Sequence, residues 1–142
     1  MRLPGLLTIV FVFGAAALVA PRAEASVHIM QVEQILAGVD GSTATQAIQL
    51  RSRTSFQNQV QNAVMFAWDA NGENPVLLKA FPGAVANFAA GAHVLVGTAN
   101  LNASTNPPLT PDFVLDNPIP ASYIAAGSLT FEDTFATVYW RV

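Results

Sequence analysis

From Val27 onward the chain is a succession of short apolar stretches separated by clusters of Gly, Asn, Asp and Pro, the spacing of an antiparallel β-sandwich or barrel. Val27 to Leu36 is the first stretch and closes at Asp40-Gly41, a turn pair in which Gly supplies the positive φ of tight hairpins. Ile48, Leu50 and Ser52 then alternate with Gln49, Arg51 and Arg53, which predicts a strand buried on one face. Val60, Asn62, Val64, Phe66 and Trp68 share one parity, and this places Trp68 in the core beside Val64 and Phe66. Phe56, Val60, Ala63 and Val64 also fit helical spacing. Strand is preferred because Trp68 and the turn-forming run Asp69-Ala70-Asn71-Gly72-Glu73-Asn74-Pro75 follow directly.

Val76 to Phe81 reads as another strand, ended by Pro82-Gly83, and Ala84 to Ala90 is compatible with a single helical turn before Gly91. His93 to Thr98 sets Val94 and Val96 on one face and Leu95 on the other. Pro107, Pro108, Pro111, Pro118 and Pro120 fall within one connection, Ala99 to Ala126. Each Pro removes a ladder donor, so no central strand is expected there, and this is the one candidate for a flexible region. Leu129 to Phe131 and Phe135 to Val142 read as a last hairpin around Glu132-Asp133-Thr134. The chain stops inside that strand, at Trp140-Arg141-Val142. This reads as a short closing edge strand or, the alternative preferred here, as a sandwich truncated at its C-terminus.

Composition changes the picture mainly at the start. Leu6 to Ala20 carries no charge, follows Arg2, and leads to Ala23-Glu24-Ala25, the small-x-small pattern of a signal peptidase site. The run is short against the roughly 20 apolar residues of a membrane-spanning helix. Residues 1–25 are therefore expected to be a cleaved signal peptide and 26–142 a single exported domain, secreted, periplasmic or at the cell surface. That domain carries four basic and eight acidic residues, a net charge of −4. Nucleic-acid binding needs clustered Lys and Arg, and the only close pair is Arg51 with Arg53. The chain has no Cys, which excludes thiol catalysis, thiolate zinc sites and Cys-x-x-Cys-His haem attachment. Folding must rest on the core alone, without disulfides.

Few residues carry candidate chemistry. No Gly-x-Ser-x-Gly, His-Glu-x-x-His or phosphate loop occurs. His28 and His93 each sit in an apolar stretch, where a strand histidine facing solvent or a neighbouring strand is the preferred reading. Asp69, Asn71 and Glu73 present three side-chain oxygens in five residues, the donor type that Ca²⁺ takes. A plain turn, in which Asp and Asn bond their own backbone, accounts for the same letters and is preferred. No cofactor is expected, with calcium the alternative. Arg51 and Arg53 share a face with Gln49 and can offer a platform to an anionic glycan or phosphate, against an ordinary solvated strand face. Phe66, Trp68, Tyr139 and Trp140 can stack on sugars where exposed. Asn102-Ala103-Ser104 fits a glycosylation acceptor.

The run Ile29-Met30-Gln31-Val32-Glu33-Gln34, then Asp40-Gly41, Gln46-Ala47-Ile48-Gln49-Leu50-Arg51, Trp68-Asp69-Ala70-Asn71-Gly72, Phe81-Pro82-Gly83 and Gly91-Ala92-His93-Val94-Leu95-Val96 resembles lamin-tail-like domains of bacterial secreted proteins. The resemblance spans about Ile29 to Gly97. Gln49 and Arg51-Ser52 stand where members of that family tend to carry a Glu and a following Asn. The resemblance implies an immunoglobulin-like β-sandwich that is noncatalytic and acts at the cell surface or outside the cell, on a protein or glycan partner, and it supplies no active-site residues. Two alternatives stay open. One is a metal-dependent extracytoplasmic hydrolase assembled from loop residues such as Asp69, Glu73, Asp112, Asp116 and His93. The other is a carbohydrate-binding module.

Overall fold

The structure, a computed structural model, describes residues 27–142; the expected signal segment, 1–25, lies outside the described residues. Eight strands follow in order: β1 (Met30–Leu36), β2 (Ala47–Ser52), β3 (Ala63–Trp68), β4 (Val76–Ala80), β5 (His93–Gly97), β6 (Phe113–Val114), β7 (Ser128–Asp133) and β8 (Val138–Arg141). They form two four-stranded sheets, β1-β2-β5-β6 and β4-β3-β7-β8. All pairs are antiparallel except β5–β6. The molecule is thus an all-β sandwich, as the spacing of apolar stretches predicts. No helix among the described residues is long and apolar enough to cross a membrane.

Alternation puts Met30, Val32, Ile48, Leu50, Val94 and Val96 on the inner face of the first sheet, and Met65, Leu129 and Phe131 on that of the second. Phe81 closes the core edge-on to Phe131 and Phe113, with ring centroids 6.1 and 5.2 Å away. Asp40 and Gly41 take φ of 50° and 77°, and Val39 and Ser42 exchange backbone bonds of 2.9 and 2.8 Å across them. Two successive positive φ values make this a tight two-residue turn of the predicted kind. A bulge at Glu33 interrupts the β1–β2 register. Beyond it Gln34, Ile35 and Leu36 are all exposed, because the extra residue turns the strand end away from the core.

Five expectations are corrected. Trp68 is not in the core: Ala63, Met65 and Ala67 take the buried face of β3, leaving Val64, Phe66 and Trp68 half-buried on the outside. The small alanines let β3 approach the opposite sheet, and the larger side chains cover the outer face instead. His28 precedes β1 in an exposed turn, with its ring 4.6 Å from that of Tyr139. Ala84 to Ala90 forms bends and a turn with no helical turn. The residues from Phe56 toward Val64 make only a 3₁₀ turn at Val60–Asn62 before β3 begins, and Phe135 lies in the last turn, with β8 starting at Val138.

The proline-rich connection does not stand free. Asp112 N–H donates to Leu95 O, and Leu95 N–H donates to the Asp112 carboxylate, both at 2.8 Å. Phe113 and Val114 then pair with the edge of β5. Asp116 crosses to β4, accepting from Lys79 Nζ at 2.7 Å and from Ala80 N–H at 2.9 Å. Ile119 is held by the buried side chain of Gln46, whose Nε2 donates to Ile119 O at 3.0 Å while Oε1 accepts from Ile119 N–H at 2.7 Å. One segment thereby ties both sheets together, with side chains supplying the bonds that prolines cannot.

Candidate functional site

The outer face of the first sheet carries Glu33, Arg51, Arg53 and His93. Strand alternation turns Glu33 of β1, Gln49 and Arg51 of β2 and His93 of β5 outward. Glu33 Oε1 lies 3.0 Å from Arg51 Nη1, and its Oε2 accepts from Gln49 Nε2 at 2.9 Å and meets His93 Nε2 at 2.9 Å. The Gln49 hydrogen bond, aided by Arg51, holds the Glu33 carboxyl below the usual glutamate range. Next along the chain Arg53 Nη1 donates to Gln31 Oε1 at 2.7 Å. Arg51, Ser52 and Arg53 face Ala90 and Gly91 across an open notch of about 410 Å³. The structure therefore brings Gln49, Arg51 and Arg53 together as the alternation predicts, and adds Glu33, Gln31 and His93. Glu33 shares the outward parity of Gln31 in β1, and the strand pairing sets it beside Gln49 and Arg51.

The acidic loop after β3 is built as a turn. Asp69 Oδ1 accepts from the N–H groups of Asn71 and Glu73, both at 2.9 Å, and Oδ2 accepts from the Asn74 amide at 2.6 Å. These bonds, the Asn74 one foremost, hold the Asp69 pKa below the usual aspartate range. The other residues of the hydrolase alternative are placed apart from this loop. Asp112 sits at the β5–β6 edge, Asp116 bonds to β4 from the segment after β6, and His93 is on the outer face with Glu33. For Asp116 burial works upward, but the bonds from Lys79 and Ala80 outweigh it and its pKa is lowered. Among the described residues no three His, Asp or Glu side chains stand close enough together to hold a metal ion. Asp69, Asp112 and Asp116 each accept from backbone N–H groups at a turn or sheet edge.

The outer face of the second sheet is covered by its own aromatics. Trp68 Nε1 donates to Thr130 Oγ1 at 2.8 Å, and the Arg141 guanidinium lies 5.7 Å from the Trp68 ring centre. Thr130 and Glu132 are buried beneath this layer, and burial raises the Glu132 pKa. Trp140, at 38 % exposure, and Phe135 remain open to solvent. The acceptor motif at Asn102 forms a 3₁₀ turn, Asn102–Ser104. Its amide donates to Thr110 Oγ1 at 3.0 Å, at the surface.

Two residues of the notch's surroundings have no counterpart among the predicted candidates. Phe56 and Phe88 are 62 % and 53 % exposed, and their rings stack with centroids 5.3 Å apart. Their signal in the sequence is weak but present. Each is a large aromatic set among polar or small neighbours, Ser55 and Gln57 or Asn87 and Ala89, with only polar or small residues two positions away on either side. Set against known proteins, the chain matches no family model and no curated protein.

Proposed function

We propose that residues 26–142 are an exported, noncatalytic β-sandwich module, immunoglobulin-like and lamin-tail-like in type, that binds a protein or glycan or serves structurally at the cell surface or outside the cell. The observation that carries this reading is where the carboxylates are used. Asp69, Asp112, Asp116 and Asp133 all accept hydrogen bonds from backbone N–H groups, and Glu33 is held by Arg51, Gln49 and His93. In each of these a carboxylate oxygen serves the scaffold, fixing a turn, a sheet edge or a neighbouring side chain. The strand orders favour the immunoglobulin-like assignment. β2 lies between β1 and β5, β3 lies between β4 and β7, and β8 follows β7, an arrangement similar to strands A-B-E facing a sheet of C, F and G extended by C′.

Two measurements test the proposal together. Expression of the full chain in a secreting host should yield a product whose amino-terminal residue is Ser26. A broad hydrolase panel, run with and without divalent cations, should show no turnover by that product. Retention of residues 1–25 inside the cell would remove the export reading. Turnover that Asp69→Ala or His93→Ala abolishes would replace the binding module with an enzyme.

A further inference from the structure

The loops 53–59 and 81–92, which carry the chain between the sheets, run side by side as a continuation of the β2–β5 ladder. Gly91 N–H donates to Ser52 O at 2.8 Å, Phe56 N–H to Phe88 O at 2.7 Å, and Val85 N–H to Asn58 O at 3.0 Å. The Asn58 amide returns a bond of 2.8 Å to Val85 O. Two features gather at this double loop. The first is the Phe56–Phe88 stack, which lies more than half in water and so forgoes most of the gain from burying two large rings. Phe56 also holds φ at 63°, a left-handed conformation that is an outlier for a bulky side chain and that tends to persist where function requires it.

The second feature is the arginine notch. Each guanidinium commits one Nη1, to Glu33 and to Gln31. Among the described residues the remaining donors of the two forks have no protein acceptor. Arg51 Nη2 stands 3.9 Å from the place a Cβ on Gly91 would occupy, so the loop backbone forms the near wall. The charge is concentrated here. Of the four basic residues after position 25, Lys79 is paired with Asp116 and Arg141 lies over Trp68, while Arg53 and Arg51, the latter paired with Glu33, both line the notch.

We propose that the notch and the adjacent phenylalanine stack form a binding site for an acidic polysaccharide. Arg51 and Arg53 take the uronate carboxylate, and the Phe56–Phe88 pair takes the C–H face of a neighbouring sugar ring. The planar guanidinium fork matches a carboxylate in two-point geometry. From Arg53 to Phe56 the chain reaches at most about 10 Å, the span of a short oligosaccharide. A nucleic acid fits less well, because phosphate neutralisation calls for many cations and this domain has a net charge of −4. A membrane surface calls for roughly 4–8 clustered basic residues. The proposal deepens the binding-module reading and rests on it.

The test is a titration of the isotope-labelled secreted product, followed by amide resonances, with short oligogalacturonate, a neutral galacto-oligosaccharide of equal length, a single-stranded oligonucleotide and inorganic phosphate. Oligogalacturonate should shift amides of residues 51–56 and 88–91 in a salt-sensitive manner, and the other three probes should bind more weakly by about tenfold or more. Arg53→Gln and Phe56→Gly should each weaken uronate binding by about tenfold, the scale of one lost charged or well-packed contact. Gly accepts positive φ without strain, so Phe56→Gly should melt at or above the parent temperature, which separates lost affinity from lost fold. Absence of uronate binding, equal binding of the neutral sugar, phosphate or oligonucleotide, or full affinity in Phe56→Gly would each overturn the site. Any of these outcomes, with the hydrolase panel still silent, leaves the noncatalytic module intact; turnover in that panel removes the parent reading.

Discussion

Replacing Gln46 with Ala should be the most damaging single change outside the apolar core. Gln46 is fully buried, and its side-chain amide closes both backbone bonds of Ile119, at 3.0 and 2.7 Å. Ile119 lies between Pro118 and Pro120, neither of which has an N–H, so its own amide is the single backbone donor in that stretch. Truncation leaves a buried N–H and a buried C=O unpaired, at about 1–3 kcal/mol each, and opens space where the side chain stood. The expected loss is about 3–5 kcal/mol, a large share of the roughly 5–15 kcal/mol that stabilises a domain. Urea unfolding of the parent, Gln46→Ala and Gln46→Met gives the magnitude. Met restores most of the volume without the bonds, so the Met variant should keep only a minority of the lost stability. Hydrogen exchange at the Ile119 amide should accelerate in both. A loss under about 0.5 kcal/mol in Gln46→Ala, the range of ordinary surface changes, or parent-like stability in Gln46→Met, would refute the assignment of Gln46 as the pin of the proline-rich connection.

Three further outcomes follow from local geometry. Burial raises the Glu132 pKa above its value in the unfolded chain, so its contribution to stability is full below about pH 4.5 and falls as pH rises through the folded pKa. Glu132→Gln should therefore be more stable than the parent at pH 7 and should flatten that segment of the pH–stability curve; a less stable variant at pH 7 would refute the account. Ala136 holds φ at 67° in the β7–β8 turn, where a left-handed residue other than Gly costs about 1–2 kcal/mol. Ala136→Gly should thus gain about 0.5–1 kcal/mol after the greater chain entropy of Gly is set against it, and an unchanged or lower melting temperature would contradict this. Asp69 has a lowered pKa through its Asn74, Glu73 and Asn71 bonds, so the stability it contributes is present above the unfolded aspartate pKa and lost as pH falls through the folded one. Asp69→Ala should lower the melting temperature at neutral pH and weaken the acid-side dependence. Millimolar Ca²⁺ should leave the parent unmoved, whereas a rise that Asp69→Ala abolishes would establish a calcium site.

The alternation of Ile48 and Leu50 with Gln49 and Arg51, the Asp40-Gly41 pair and the run from Asp69 to Pro75 determined on their own which segments extend, which face of β2 and β5 is buried, and where the chain turns. These are local properties, set by the two-residue period of a strand and by backbone φ preferences, so they are written in adjacent letters. The pairing of Arg51 with Arg53 was legible for the same reason. The inner face of β3 was not. Ala63, Met65, Ala67 and the larger Val64, Phe66, Trp68 series both satisfy the period, and only the opposing sheet decides which one fits the space between layers. The same holds for Glu33, whose partners Arg51 and His93 lie on two other strands, for Gln46, whose partner is 73 residues away, and for Phe56 and Phe88, brought together by two loops that run side by side. Each depends on which distant segments become neighbours, and that is settled by the packing of the whole core.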